Sequence, residues 1–147
     1  MAHRPRPRSP EAEPIEPQIS PGLIEAELKL VLTSRQFARS VRLRQLLSFI
    51  VQRTIRGDLA SLKEYTIGVD VFDRKEAFDQ RTDAIVRVQA NRLRRKLKLY
   101  YATEGASHPI RITLPPGGFV PLFLQRKQMA TARTHTLRHM REALPER

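Results

Sequence analysis

Apolar residues recur at three- and four-residue steps through most of this chain, and at two-residue steps only towards its end. The first helical stripe is Ile24, Leu28, Val31 and Leu32. Ser20 suits an N-cap, Pro21 suits the first helical position, and Ile19 can staple onto Ile24, so a helix is predicted from Ser20 to about Ser34. A short polar break anchored by Phe37 follows. From Ser40, a second N-cap, Leu43, Leu46, Leu47, Ile50 and Thr54 mark an amphipathic helix that stops at Gly57. Both helices read as scaffold, with Arg42, Arg44, Arg53 and Arg56 off the stripe and solvated. Ser61-Leu-Lys-Glu64 has the form of a capping box. Leu62, Tyr65, Val69 and Phe72 then carry a short helix of about three turns. Gly68 in its middle costs about 1 kcal/mol relative to Ala, which points to a close helix crossing.

Residues 73–82 form a polar loop with one apolar plug, Phe78, and Thr82 or Asp83 caps what comes next. From Asp83 to Glu104 the pattern is a single long helix with two faces. Val86, Ala90, Leu93, Leu97 and Tyr100 make an apolar stripe, while Arg87, Asn91, Arg94 and Lys98 repeat at the same spacing about 100° away. Arg95 borders that second stripe, and Arg92 and Lys96 sit further round. Gly105 closes the helix. The period then changes to two: Ile110–Leu114 alternates as a strand, Pro115-Pro116-Gly117-Gly118 turns, and Phe119–Phe123 returns, with Pro121 implying an edge. Strand, turn and strand after a basic helix predict a wing. The expected fold is mainly α (α+β): a winged helix-turn-helix, in which a helical bundle carries a C-terminal β-hairpin.

Charge sharpens this picture. The chain has 147 residues, 27 Lys and Arg against 15 acids, and a formal net charge of +12. Seven of the cations lie between Arg81 and Lys98 beside one acid, Asp83. A helix that is apolar on one stripe and cationic on another suits docking on a core and facing a polyanion. Asn and Arg on the cationic stripe can also bond base edges bidentately. The expected partner is therefore double-stranded DNA rather than a membrane; no apolar run approaches the roughly 20 residues of a span. RNA is less favoured because aromatics for stacking are scarce.

Other chemistry is poorly supported. There is no cysteine, hence no disulfide, thiolate metal site or thiol nucleophile. No phosphate-binding glycine loop or Ser-His-Asp arrangement stands out, so the chain is read as no enzyme, with no cofactor and no metal. Asp73, Glu76 and Asp79 lack EF-hand spacing, and His135 and His139 have no third ligand. The start has no apolar signal region, and a cytoplasmic, nucleoid-associated location is expected. Residues 1–21 hold six of the eleven prolines, then Arg4, Arg6 and Arg8, then Glu11, Glu13 and Glu16, and read as a disordered arm. Residues 22–125 form the domain: scaffold over 22–57, helix-turn-helix over 61–104, wing over 110–123. Residues 126–147 read as a basic tail.

The segment Val86-Arg-Val-Gln-Ala-Asn-Arg-Leu-Arg-Arg-Lys-Leu97 and the segment Ile110-Arg-Ile-Thr-Leu-Pro-Pro-Gly-Gly-Phe-Val120 together resemble a known family. They are similar to the recognition helix and wing of OmpR-type response-regulator effector domains, over about residues 41–124. The chain also looks like the N-terminal DNA-binding segments of some larger bacterial regulators. The resemblance implies a sequence-specific bacterial transcriptional regulator. It implies that Arg87, Asn91, Arg92 and Arg94 face the major groove. Lys63, Arg81, Arg95 and Lys98 become candidates for phosphate contact, and Arg111, Gly117 and Gly118 match the wing. Val86, Ala90, Leu93, Leu97, Ile112 and Phe119 should be core. Three features depart from the family: no receiver domain, helix over Ser20–Ser34 where the family has a sheet, and Arg87 where an acid is common. One such domain offers a small interface, so a homodimer or several copies on repeated half-sites are expected, with RNA polymerase a further candidate partner. The competing expectation is a winged-helix protein–protein interaction module whose basic charge is incidental.

Overall fold

Ser20 caps the first helix as expected: its hydroxyl accepts from the Leu23 amide at 3.4 Å, and Pro21 opens helix α1, Pro21–Leu32. The structure, a computed structural model, describes residues 19–75, 79–81 and 83–126. Most of the N-terminal arm, Glu76, Phe78, Thr82, His135, His139 and the tail beyond Arg126 lie outside those residues. Ile19 is partly buried and packs against the core cluster that contains Ile24. Helix α2, Val41–Ile55, buries Leu43, Leu46, Leu47, Ile50 and Val51. Its end is a Schellman motif: Gly57 sits at φ 75°, its amide donates to the Thr54 carbonyl, and the Asp58 amide donates to the Arg53 carbonyl.

The capping box is not formed. The Ser61 hydroxyl donates to Asp58 Oδ2 at 2.6 Å, because the chain after Gly57 tightens into a 3₁₀ turn over Leu59–Ser61. Helix α3 therefore starts later, at Glu64, and ends at Asp70, nearer two turns than three. This rotates its inner face: Leu62, Ile67, Gly68 and Phe72 are buried, whereas Tyr65 is exposed and Val69 half-buried.

Helix α4, Ile85–Ala102, packs against both α2 and α3. Its apolar stripe is as expected, with Val86, Ala90, Leu93, Leu97 and Tyr100 all buried, and Gln89 and Tyr101 join them. Asp83 serves its start from one residue further out: Oδ1 accepts the Ile85 amide at 3.1 Å and Oδ2 pairs with Arg74 at 2.8 Å. At the far end Glu104 accepts the amides of Arg35 and Gln36, at 3.2 and 3.0 Å, and so ties α4 to the α1–α2 turn. Gly105 is buried where α4 ends. A Cβ there would lie 2.5 Å from Tyr100 Cε1, so its close approach excludes any side chain.

The hairpin differs from expectation in its second strand. β1, Ile110–Thr113, pairs antiparallel with β2, Leu122–Gln125, in the register Ile110↔Gln125 to Thr113↔Leu122. The connection is thus the eight residues 114–121 rather than a four-residue glycine turn. Phe119 packs partly against the core and Pro121 is buried before the ladder begins, which draws these residues out of strand geometry. Among the described residues, four α-helices and one small antiparallel sheet make a mixed α+β fold around a shared core from α1 to β1.

One polar network crosses this core. Glu27 of α1, buried, accepts from the Tyr101 hydroxyl at 2.9 Å, and that hydroxyl accepts from the Ile112 amide at 2.9 Å. His108 Nδ1 lies 2.8 Å from the same Glu27 oxygen. Helix α1, helix α4 and strand β1 thereby share one satisfied cluster.

Candidate nucleic-acid interface

The outer surface of α4 follows from its period. With one side sunk into the core, the opposite side must carry the residues between the stripes, and these are Arg87, Val88, Asn91, Arg92, Arg95, Lys98 and Leu99, all exposed. The helix is continuous for 18 residues, about 27 Å at 1.5 Å per residue. Arg92, Arg95 and Lys98 make no hydrogen bond or ion pair among the described residues, so their charge is open to a partner.

The rest of the cationic stripe is partly engaged. Arg87 pairs with Glu64 of α3 at 3.3 Å and donates to the Gln80 carbonyl at 2.9 Å. Its side chain keeps 51% of its surface exposed. The pair is open on the arginine side only: Glu64 keeps 18% of its side chain exposed and its Oε1 is buried, so Arg87 is held on the α3 side of the cationic face. Arg94 is different. Its guanidinium donates to the carbonyls of Leu114 (3.1 Å), Pro115 (3.3 Å) and Gly118 (2.6 Å), and to Asn91 Oδ1 (2.7 Å). Four donors out of five are committed. Arg94 is thus a clamp between α4 and the hairpin connection, which corrects its expected position facing a groove. Asn91 keeps its amide donors and one lone pair of Oδ1.

The remaining expected site residues are scattered. Lys63 is exposed just before α3. Arg81 is exposed in the loop before α4, where its amide donates to Asp79 Oδ1 at 2.9 Å. Arg111 lies over the Tyr101 ring. It is half-buried on β1, with its guanidinium 5.4 Å from the Tyr101 ring centroid and its Nε buried without a hydrogen-bond partner. Gly117, at φ 88°, is exposed at the tip, where only glycine sits without strain, and the Gly118 carbonyl is taken by Arg94. The α4 face therefore gathers Arg87, Asn91, Arg92, Arg95 and Lys98, and Arg94 fixes the hairpin tip beside it.

Two features escaped the sequence reading. Val88, 44% exposed, places a methyl-bearing surface in the middle of the polar face. Arg42 and Ser40, at the start of α2, share a groove with the Arg92 side of α4. The signal for the second was present as an N-cap followed by an arginine, but only packing brings it to α4. Among the described residues no three His, Cys, Asp or Glu side chains are grouped to hold a metal ion, and no helix is long and apolar enough to cross a membrane.

No protein-family model matches this chain, and no curated protein or solved structure does either. The likeness to OmpR-type effector domains rests on the residues quoted above.

Proposed function

We propose that this chain is a winged helix-turn-helix protein that binds double-stranded DNA sequence-specifically, as a bacterial transcriptional regulator. The observation that carries the reading is the outer face of α4: a continuous rod with Arg92, Arg95 and Lys98 open and the exposed Arg87, paired with Glu64, beside them. In this reading α4 lies in the major groove, α3 crosses above it, and the hairpin held by Arg94 is the wing. Arg87, Asn91 and Arg92 take base edges, Val88 offers apolar contact to a thymine methyl, and Lys63, Arg81, Arg95 and Lys98 take phosphates. Arg94 positions the wing rather than reading sequence.

Phosphate neutralisation sets the expected affinity. Four phosphate contacts, from Lys63, Arg81, Arg95 and Lys98, correspond to a log–log salt slope of about −3.6, or roughly 150-fold weaker binding between 50 and 200 mM salt. Selection of bound sites from a random duplex pool, followed by anisotropy titration, tests the proposal. Arg92→Ala should relax the selected sequence preference, whereas Lys98→Ala should weaken selected and random DNA alike and lower the slope by about one. A folded wild-type chain that ignores duplex DNA at about 50 mM salt would overturn the proposal and favour the protein–protein module instead.

A further inference from the structure

The groove between the start of α2 and the flank of α4 has a volume of about 480 Å³, within the range of small-ligand sites. Arg42, Arg92, Arg95 and Lys96 line it, with Ser40, Gln89 and two leucines, and no carboxylate is among its walls. Four cations around one concavity repel one another; Arg92 stands three and four residues before Arg95 and Lys96, where like charges on a helix are unfavourable. An anion in the groove relieves that repulsion.

Two further observations aim at the same place. α2 is a 15-residue helix whose N-cap, Ser40, makes no side-chain capping bond, so the first-turn amides and the partial positive charge of the helix end remain available there. Gln89 is only 8% exposed, yet its carboxamide has no hydrogen-bond partner among the described residues, and it lines the groove. Its amide nitrogen can donate to a ligand oxygen in the groove.

We infer that this groove is a phosphate-binding site, in which Arg42, Arg95 and Lys96 supply charge, Arg92 borders it, and Gln89, Ser40 and the α2 amides supply directed donors. The phosphate has two possible sources, a DNA strand running past α4 or a free phosphorylated small molecule. The strand source rests on the DNA-binding reading; the free source does not.

The test compares full-length wild type with Arg42→Gln and Gln89→Leu, and with Arg56→Gln as a charge-matched control at the other end of α2. Amide NMR spectra are recorded during titration with inorganic pyrophosphate, and duplex affinity is measured against salt. Saturable shifts of the Gln89 side-chain amide and of residues 41–43 in wild type and Arg56→Gln, abolished in Arg42→Gln, assign the site. If duplex binding by Arg42→Gln also weakens, with a salt slope about one unit shallower than the control's, the natural phosphate belongs to a strand. Unchanged duplex affinity with lost pyrophosphate shifts points to a free ligand. Pyrophosphate shifts in a chain that ignores duplex DNA would keep this site and remove the proposed function. No groove shifts, together with equal duplex affinities for Arg42→Gln and Arg56→Gln, would overturn the inference while leaving DNA binding by α4 intact.

Discussion

Tyr101 is the residue on which three elements depend. Its hydroxyl donates to buried Glu27 and accepts from the Ile112 amide, so one oxygen satisfies groups on α1 and β1 while its ring sits on α4. Removing that oxygen keeps the ring but orphans the Ile112 amide and leaves Glu27 with His108 alone. Tyr101→Phe should lower stability by about 1–3 kcal/mol in urea unfolding, because each buried group loses its bond without regaining water. An unchanged midpoint would mean that the cluster is open to solvent. This network was not legible in the sequence: Glu27 and Tyr101 stand 74 positions apart, and nothing in periodicity marks a glutamate on an apolar stripe as buried. Arg94 shows the same limit. Its helical position was read correctly, but its hydrogen-bond partners in the hairpin connection are backbone carbonyls 20 to 24 residues downstream, which no side-chain pattern encodes. The α4 core stripe was legible because period alone decides it.

The elements differ in how far local rules decided them. α1 begins at Ser20 and Pro21 because those residues satisfy a helix start wherever it lies. α3 escaped its apparent capping box because Asp58, positioned by the Schellman turn at Gly57, draws the Ser61 hydroxyl away. The hairpin was found but its second strand was misplaced by three residues, since Phe119 and Pro121 are drawn to the core before the ladder starts. Leu114, Phe119 and Pro121 hold the two ends of the connection to the core, and its tip, residues 115–118, is held by Arg94. Arg94→Ala should therefore lower the backbone order parameters of residues 117 and 118 from about 0.85 towards 0.6 or below, with the melting of the helices little altered. Arg94→Lys should not restore them, because one ammonium cannot reproduce the planar fork that spans three carbonyls. Order parameters that stay high in both variants would show that the connection holds itself.

At the scale of the molecule, the tyrosines buried beside Glu27 set an alkaline limit to stability. Burial, with help from Glu27 and Glu104, pushes the Tyr100 phenol up to about 12, and burial raises Tyr101 as well. An unfolded chain ionises tyrosine near 10. The folded state therefore holds a proton that the unfolded state gives up, so this contribution is complete below about pH 10 and is lost as pH rises through about 12. Urea midpoints measured from about pH 8 to 12 should be flat at first and then fall. Tyr100→Phe, which cannot ionise, should fall less steeply; equal slopes would mean that other groups set the limit. The same body fixes α4 by carboxylates near its two extremities, Asp83 and Glu104. A rod sunk into the core along one whole stripe and tied at both ends keeps its tilt. It meets its partner already shaped, with little ordering left to lose, and whatever bending a complex needs must come from the other molecule.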